Sequence, residues 1–561
     1  MARGRKGTKA PKQVETLTHA EAKRKNIPTA ELQSAAQRAE ELQPFEPVVY
    51  SRRHPLNEGE ERPRDKDLDP QLVWKGARIR LTEEQIKEAA AKGYVDISDA
   101  QLVWRGKDQQ DWSDLVVQAP PLYIQEKVHP KAIIDDLTRR TKAKREAEAD
   151  MADLFHDFNG IDPEAKTEFY QHDQNWSNRF ILGDSLQVMA SLAEREGLRG
   201  QVQCIYFDPP YGIKFNSNWQ VSTRSRDVKD GKIEEISREP EQVRAFRDTW
   251  KDGIHSYLTY LRDRLTAMRD LLTESGSIFV QIGDENVHRL RALTDEVFGE
   301  ENFVVEIAFT KTSSSTGDFL GPTFDRLLWY AKKKPALKYR KYLMEKRPGE
   351  KGGTGYKNVR TWDGHRRALS SEETSGDATI PDGWKIYFRD NLTSQSIGRA
   401  KGEGAASWFP VELNGKTYKP SISVRWKTNE NGMDRLKKSN RIESSSTGNL
   451  GYVRYLDDYP VYELTDLWTD TLGQNQFGGD KVYVVQTALT AVQRILLMTT
   501  DPGDLVLDPT CGSGSTAVVA EQWGRRWITI DTSRVALALA RARVMGVKYG
   551  TVRNSVPRRE G

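Results

Sequence analysis

Two short motifs constrain the fold of this chain more than any other feature of its sequence. The first follows the apolar run 202–207 and the second follows the apolar run 505–507, and runs of this length are typical of buried strands. Their residues are Asp208-Pro209-Pro210-Tyr211 in the first motif and Asp508-Pro509-Thr510-Cys511-Gly512-Ser513-Gly514 in the second. A strand that ends in an acid and a tight turn is typical of the edge at which open α/β sheets bind ligands.

Strands and helices alternate from Phe180 onward, which predicts a mainly parallel, doubly wound sheet with helices on both faces. An amphipathic helix is predicted over 255–272 and ended by Gly276, with a strand over 277–282 and a second helix over 285–298. The alternation stops at 335–480, where glycine, serine, charged and aromatic residues mix without a helical period. About 145 residues exceed an ordinary connection, so we predict an inserted domain.

The region before the alternation has a different character. Residues 1–45 are polar and begin with five cations and no acid among them, which predicts a disordered basic arm. Residues 46–164 form an N-terminal extension in which the stretch QLVW(K/R)G occurs at 71–76 and again at 101–106. We interpret the repeat as a small duplicated module whose tryptophans, Trp74 and Trp104, are core or docking anchors.

Composition excludes several classes of protein. Hydrophobic residues make up 37% of the 561 residues and charged residues 30%, as in soluble globular proteins. No apolar run approaches the roughly 20 residues of a membrane span. Cys204 and Cys511 fit neither a disulfide framework nor zinc-ligand spacing, and we expect a reducing cytoplasm.

The second motif has the features of a cofactor loop. Gly512 and Gly514 allow a tight turn and a close approach of the ligand to the backbone. Asp531 ends the next predicted strand, where an acid can accept both hydroxyl groups of a ribose. The loop lacks the third glycine of the dinucleotide fingerprint, which favours a cofactor that carries an amino acid, with Asp508 facing its ammonium group. A turn that serves packing alone is the alternative.

The first motif suits an amino group on a flat ring. Such an amine is a weak nucleophile because its lone pair is delocalised, and Asp208 and the carbonyl of Pro209 can accept its N–H groups and direct the lone pair to a methyl donor. Pro209 and Pro210 have no N–H group and fix the turn, while Tyr211 offers a stacking face. A turn that merely closes a strand is the alternative.

Together and in this order, the motifs resemble the β class of amino methyltransferases, especially the modification subunits of type III restriction systems. The resemblance covers about residues 165–547 and includes 181–186 (ILGDSL), 274–303 and 482–500. It implies a seven-stranded, Rossmann-like methyltransferase sheet and S-adenosylmethionine as cofactor, with no metal. It also implies that Asp184 lies near the cofactor adenine and that the insert recognises the DNA target. Thr510 stands where the family usually has Phe, and Gln486-Thr487 stand where it usually has Lys-Pro.

The resemblance divides the remaining chain into domains and assigns the site. We expect a catalytic half at 165–334, a target-recognition insert at 335–480, a cofactor-binding half at 481–550 and a tail at 551–561. The catalytic residues implied are Asp208, Pro209, Pro210 and Tyr211. The cofactor-binding residues implied are Asp184, Asp508, Pro509, Thr510, Gly512, Gly514, Ser515 and Asp531.

The resemblance predicts a site-specific DNA methyltransferase that acts on N6 of adenine, because Asp rather than Ser precedes the two prolines. We expect it to be the modification component of a restriction-modification or related defence system, in the cytoplasm and without a membrane. The partners to expect are double-stranded DNA with a flipped target base, a restriction subunit and a second copy of the chain. The alternatives are an N4-cytosine methyltransferase, a protein or RNA methyltransferase and an inactive DNA specificity subunit.

Overall fold

The structure, a computed structural model, describes 47–73, 80–81, 83–92, 101–120, 125–128, 178–210, 253–312, 320–395, 405–445, 448–471 and 488–546. The basic arm, Trp74, Tyr211, Gln486-Thr487 and the tail lie outside these residues. The chain divides into a first unit, Met1–Arg340 with Asp466–Gly561, and a second unit, Lys341–Thr465. Within the ranges given, none of the helices combines the length and apolarity that a membrane span requires.

The described residues of the N-terminal extension fold as short strands and two α-helices in the first unit. The elements are β1 (Val48–Tyr50), β2 (Gln71–Val73), α1 (Glu83–Lys92), β3 (Gln101–Val103), α2 (Lys107–Asp111), β4 (Leu115–Val117) and β5 (Gln125–Val128). The strands β2 and β3 are the two copies of the repeat, and they pair with each other in antiparallel register, with Leu72 opposite Leu102. The duplication therefore supplies both strands of one ribbon.

The first half of the main sheet follows. Its elements are β6 (Asn178–Leu182), α3 (Ser185–Arg195), β7 (Val202–Phe207), α4 (Ile254–Leu271), β8 (Leu272–Ile282), α5 (Val287–Phe298), β9 (Phe303–Thr310) and β10 (Phe324–Ala331). The prediction that Gly276 ends α4 is wrong, because β8 begins at Leu272, directly after the helix, and Gly276 lies within the strand. Pairing of Leu272 with Val202 of β7 starts the strand five residues earlier than the sequence pattern indicates.

The second unit consists mainly of antiparallel strands. Its elements are β11 (Leu343–Glu345), β12 (Asn358–Arg360), β13 (Arg366–Ala368), α6 (Ser371–Ser375), β14 (Lys385–Asn391), β15 (Thr393–Ser394), β16 (Val411–Leu413), β17 (Lys416–Tyr418), β18 (Arg425–Trp426), α7 (Glu430–Lys438), β19 (Ile442–Ser444), β20 (Leu450–Tyr455) and β21 (Val461–Glu463). Five strands form one sheet in the order β13-β12-β14-β20-β19. The unit is shorter than 335–480 because its predicted flanks belong to the first unit: Lys338 N donates to Ser275 O at 3.1 Å, and 467–468 pair with β9.

The chain then returns to the main sheet. The remaining elements are β22 (Leu467–Trp468), α8 (Leu489–Thr499), β23 (Leu505–Asp508), α9 (Ser515–Gln522), β24 (Arg526–Asp531) and α10 (Arg534–Gly546). The described part of the sheet has nine strands in the order β22-β9-β10-β8-β7-β23-β24-β6-β5. The five from β8 to β6 are parallel and buried on both faces, as a doubly wound sheet requires. The sheet exceeds the seven strands predicted because β5 and β22 add one strand at each edge.

The N-terminal extension packs against helix α4 through Trp104 and through buried ion pairs. Trp104 is fully buried, and its indole Nε1 donates to Thr259 Oγ1 of α4 at 3.0 Å. Beside it, Asp111 of α2 accepts from Arg62 at 2.7 Å and from Arg262 of α4 at 2.6 Å. Removing one partner of a buried ion pair leaves an uncompensated charge at a cost of about 3–5 kcal/mol, so this arrangement fixes one docking geometry.

A buried lysine extends the same network. Lys107 forms an ion pair with Glu296 of α5 and donates to the carbonyl of Leu102 at 2.8 Å. Burial lowers the pKa of Lys107 to about 8. Burial alone would raise the pKa of Glu296, but Lys107 and Arg262 hold that pKa well below its usual range. The pair is therefore ionised at neutral pH.

We predict that Trp104→Ala lowers the free energy of unfolding of the first unit by about 3–5 kcal/mol, because it leaves a large cavity against α4 and removes a hydrogen bond. Chemical denaturation followed by circular dichroism measures the change. The control is Trp362→Ala in the second unit, where the side chain is 82% exposed and a change within about 0.5 kcal/mol is expected. Equal losses in the two variants would contradict the docking role of Trp104.

Candidate cofactor and catalytic site

Four adjacent parallel strands bring the predicted site residues to one edge of the sheet. The strands β7, β23, β24 and β6 lie side by side, with Leu507 opposite Ile205 and Asp531 opposite Leu182. Because the carboxyl ends of parallel strands lie at the same edge, the turns that follow these strands meet there. Asp208, Asp508, Asp531 and Asp184 are the acids in those turns.

Asp508 is the most buried of these acids, with 3% of its surface exposed. Its Oδ1 accepts from the backbone N–H of Thr510 at 3.0 Å, which closes the first turn of the loop. Burial raises the pKa of Asp508 to about 6, although hydrogen bonds from Thr516 and Thr510 oppose the shift. A buried carboxyl with a raised pKa lacks a full counter-charge, so a cation that approached it would be stabilised.

The glycines of the loop are required by its geometry. Gly512 and Gly514 have φ angles of 51° and 72°, in the left-handed region that side chains disfavour. A Cβ on Gly514 would lie 2.6 Å from the Cβ of Ala540, so α10 can approach the loop only because residue 514 has no side chain. The N–H of Cys511 donates to the carbonyl of Ile530 at 2.8 Å, which ties the loop to β24.

Asp531 joins the loop to the end of β24. Its Oδ2 accepts from the N–H of Gly512 at 2.9 Å, and its Oδ1 accepts from the N–H of Ser533 at 2.8 Å. These two bonds hold the carboxylate at the end of β24, beside the glycine loop. The carbonyl of Asp531 accepts from the N–H of Gly183 at 3.0 Å, which places the turn after β6 beside it.

Asp184 caps a helix and neutralises an arginine. Its Oδ1 accepts from the N–H of Leu186 at 2.9 Å at the start of α3, and its Oδ2 forms an ion pair with Arg264. Arg264 also donates from Nε to Ser185 Oγ at 2.9 Å, and its guanidinium lies 3.6 Å from the ring centre of Tyr260. The carboxylate is thus held rigidly at the edge next to Asp531.

One hydrogen bond links the two motifs directly. The backbone N–H of Asp208 donates to the hydroxyl of Thr510 at 3.0 Å. The structure therefore brings together Asp208, Pro209 and Pro210 of the first motif with Asp508 and Thr510 of the second. Ser515 is another residue predicted for the site. It begins α9, and its Oγ lies 3.1 Å from Ser513 Oγ. Pro509 is buried directly after β23, and Tyr211 lies outside the described residues.

Sequence reasoning missed the contribution of α4. The helix places Tyr257, Tyr260 and Arg264 toward the site: Tyr257 interacts with Asp208, and burial raises its pKa above the usual range, with Asp208 adding to the shift. Arg264 lies three residues after the buried Leu261, on the apolar face of the helix. A cation at an apolar helix position is the signal that could have pointed to a buried anion.

The residues at this edge fit a cofactor with a nucleoside at one end and an amino acid at the other. Asp531 places a carboxylate beside the loop, the loop around Gly512 permits close approach of a ligand, and the buried Asp508 suits a cation. Over the described residues, no cluster of three or more His, Cys, Asp or Glu side chains has the geometry of a metal site.

Comparison with known proteins gives a family match. The family model described as DNA methylase matches residues 202–542. The type II methyltransferase M.EcaI of Enterobacter cloacae is 29% identical over 362 residues, which are 64% of this chain and 67% of that protein. The EcoPI Mod subunit, from a type III restriction-modification enzyme of Escherichia phage P1, is 25% identical over 388 residues, 63% of this chain and 56% of its own length.

One more relative and one solved structure are also similar to this chain. The StyLTI Mod subunit of Salmonella typhimurium is 25% identical over 414 residues, 67% of this chain and 56% of its own length. The chain thus spans about two thirds of M.EcaI and just over half of the two Mod subunits. The solved M1.HpyAVI–SAM complex aligns with 65% of this chain and 98% of its own, at 13% identity and a TM-score of 0.29.

We predict that cofactor binding weakens about tenfold per pH unit below about pH 6, because protonated Asp508 no longer attracts an ammonium group. The sign follows from the raised pKa: a cation favours the ionised carboxylate, so binding below pH 6 must displace a proton and is stronger above it. Isothermal titration calorimetry with S-adenosylmethionine between pH 5 and 8 measures the profile.

The control for this profile is Asp508→Asn, which has no titrating carboxyl. It should bind more weakly at pH 7.5 than the unchanged protein and lose the dependence near pH 6. A profile that stays flat in the unchanged protein, or that survives in Asp508→Asn, would exclude Asp508 as the ammonium partner.

Proposed function

The chain belongs to the DNA methylase family, whose model matches residues 202–542, and we propose that it methylates N6 of adenine in DNA at specific sites. The cofactor predicted from the sequence, S-adenosylmethionine, is confirmed by this membership. The observation that carries the proposal is the hydrogen bond from Asp208 N–H to Thr510 Oγ1, since it fixes a motif suited to a ring amine against a cofactor loop.

In the proposed reaction the protein positions the amine and supplies no covalent nucleophile. S-adenosylmethionine supplies an electrophilic methyl group when bound. The Asp208 carboxylate and the Pro209 carbonyl accept the two N–H groups of the amine, which directs its lone pair out of the ring toward the methyl carbon. The target base must leave the duplex to reach this edge, and Tyr211 is proposed to stack on it.

Adenine is favoured over cytosine by one residue. Asp208 precedes the two prolines, where Ser would favour an N4-cytosine enzyme. The same pair of acceptors can hold either amine, so N4-cytosine methylation is the second candidate. An inactive specificity subunit is less well supported, because Asp208, Gly512 and Gly514 are all present and the two motifs lie together.

We propose that the second unit recognises the DNA target. It carries 21 Lys and Arg against 16 Asp and Glu, a net charge of +5, whereas the whole chain carries +4. Positive charge concentrated in one unit suits a polyanionic partner. Within the family, a type III modification subunit would also have a restriction subunit and a second copy of itself as partners, and we carry both over as proposals.

Arginine is the usual reader of guanine, but four arginines of the second unit are held by other parts of that unit. Arg425 is buried, Arg367 forms an ion pair with Glu373 at 2.6 Å, and Arg360 donates to the hydroxyl of Tyr455 at 2.9 Å. Arg366 donates to the carbonyl of Asn440 at 3.1 Å. A free reader is expected elsewhere on the unit.

Trp362 is a better candidate, because it is held at the tip of a rigid hairpin. The connection between β12 and β13 is closed by two hydrogen bonds, Thr361 N to His365 O at 2.8 Å and Gly364 N to Thr361 O at 3.0 Å. An indole that a closed turn holds in solvent loses little conformational entropy when it stacks on a base or enters a groove.

We predict that Asp208→Ala lowers methyl transfer at least about 100-fold, because it removes the side-chain acceptor of one N–H group at the transition state, while cofactor affinity is unchanged. Transfer of labelled methyl groups to host DNA gives the rate, and calorimetry gives the affinity. Mass spectrometry of the digested product should show N6-methyladenine. N4-methylcytosine would decide for the second candidate, and normal turnover by Asp208→Ala would refute the role of this residue.

We predict that Trp362→Ala weakens binding to target duplexes by roughly 1–3 kcal/mol, the worth of one stacking contact, without altering the free energy of unfolding. Fluorescence anisotropy measures the affinity for duplexes that contain the sequence that the protein methylates. The matched control is Ile422→Ala, a large apolar side chain of the same unit that is 80% exposed. Equal effects of the two substitutions would rule out a specific role for the hairpin tip.

A further inference from the structure

A basic cleft lies in the first unit, away from the edge that holds Asp208. It has a volume of about 370 Å³ and is lined by residues 49–53, by the C-terminal half of α4 and by Lys332, which follows β10. Its lining includes Arg199, just before β7, and Asp270, just before β8. Since Asp208 follows the carboxyl end of β7, the cleft is at the opposite end of the same strands.

Three cations of the basic cleft lack an acidic partner among the described residues. Arg53 donates only to the carbonyl of Glu296, at 3.2 Å, and Lys332 donates to the carbonyls of Arg269 and Leu272, at 2.6 and 3.5 Å. The guanidinium of Arg269 makes no ion pair there.

The two acids of the lining are already neutralised. Asp270 pairs with Arg199 at 2.7 Å, and Glu296 pairs with Lys107 and Arg262. The cleft therefore holds three cations that form no direct ion pair among the described residues, although Asp270 and Glu274 act on Arg269 and Lys332 from a distance.

Buried polar atoms in the lining are unsatisfied among the described residues. The donors are the Nε of Arg269, the Nε of Arg52, the Nη1 of Arg262 and the hydroxyl of Tyr50. Asp270 Oδ2 and Glu296 Oε1 lie at ion-pair distance from an arginine but accept no hydrogen bond there. Because all of these atoms are closed to solvent, a ligand in the cleft would be attracted by the charge of the cations and not by hydrogen bonds to these atoms.

The pKa values of two cations of the basic cleft, Arg269 and Lys332, are lowered. Burial lowers the pKa of Arg269, and the nearby Arg53 lowers it further. Burial likewise lowers the pKa of Lys332, with Arg269 as the next cause. Asp270 and Glu274 oppose both shifts and so offset part of the repulsion between the cations, and an anion between them would relieve the remainder.

We propose that the basic cleft binds a small anion that carries phosphate groups and at least two negative charges. Guanidinium groups present flat pairs of N–H donors that match phosphate oxygens, and they recognise phosphate where they converge. A monocarboxylate would neutralise only one of the three charges. The volume is within the range of pockets for small ligands, whereas a DNA duplex would bring only singly charged phosphodiesters to a concave surface.

A bound anion would hold together parts of the chain that are far apart in sequence. Residues 51–53 belong to the N-terminal extension, Arg269 to α4 and Lys332 to the loop after β10. Because the ligand binds only the folded form, it should stabilise the first unit by mass action.

Calorimetry with pyrophosphate, and separately with orthophosphate and with ATP, tests the proposal on the full chain without Mg²⁺ and at constant ionic strength. Pyrophosphate should bind and raise the thermal unfolding midpoint. Arg269→Gln and Lys332→Gln should each weaken binding at least tenfold. The matched control is Arg340→Gln, which removes one charge from an exposed side chain of the same unit and should leave binding unchanged.

Orthophosphate and ATP distinguish a simple phosphate site from a nucleotide site, and binding of either supports the proposal. No binding of any probe at about 1 mM, or an equal loss in Arg340→Gln, would overturn it. If Arg269→Gln fails to fold, Arg53→Gln replaces it, since Arg53 is in an extended segment. Weaker binding of duplex DNA by the cleft variants, without binding of pyrophosphate, would also overturn it and point to a DNA contact instead.

Discussion

The pairing of β7 with β23 is the interaction on which the rest of the site depends. Val506 lies opposite Cys204 and Leu507 opposite Ile205, and these buried pairs bring two segments that are 300 residues apart to one edge. Loop-closure entropy grows only with the logarithm of length, so each doubling of the intervening chain costs about 0.6 kcal/mol. A unit of 125 residues, Lys341–Thr465, can therefore be inserted in the sequence between the two motifs without a large loss of stability. The apolar pairs at the centre of the sheet outweigh that cost.

The same pairing concentrates negative charge at the edge, and the structure compensates it unequally. Asp184 has Arg264 as a counter-ion, and Asp531 accepts two backbone N–H groups. Within the described part of the chain, the hydrogen-bond donors to Asp508 are neutral, and burial raises its pKa to about 6. Of these three acids, Asp508 is therefore the one that a cationic ligand would stabilise most, whereas Asp184 and Asp531 already have partners. If the proposed cofactor binds here, we expect its positive charge to be recognised mainly at Asp508.

Helix α4 connects the features that were found separately. Arg264 reaches the cofactor edge, Arg262 pairs with Asp111 of the N-terminal extension and Arg269 lines the basic cleft. These three arginines occupy the same helix within eight residues, so a shift of α4 would move all three contacts together. Interfaces with buried ion pairs tolerate few alternative geometries, because a displaced partner leaves a buried charge unpaired. The extension therefore holds the helix that supports the cofactor edge, although it contributes none of the acids at that edge.

The sequence predicts elements with a local pattern better than it predicts which strands pair with each other. The reason is that an apolar period is a property of neighbouring residues, whereas pairing depends on partners far away in the chain. The helix over 255–272 is found at Ile254–Leu271 because its apolar period is a local property. Gly276 was expected to end that helix, but pairing of Leu272 with Val202 overrides the local preference of a glycine. The edge strands β5 and β22 could not be predicted, since Gln125–Val128 and Leu467–Trp468 become strands only through partners elsewhere in the chain. The bond between Asp208 and Thr510 depends on the same long-range pairing. The chemistry of each motif could therefore be inferred from its own residues, whereas the contact that joins them follows from the order of strands in the sheet.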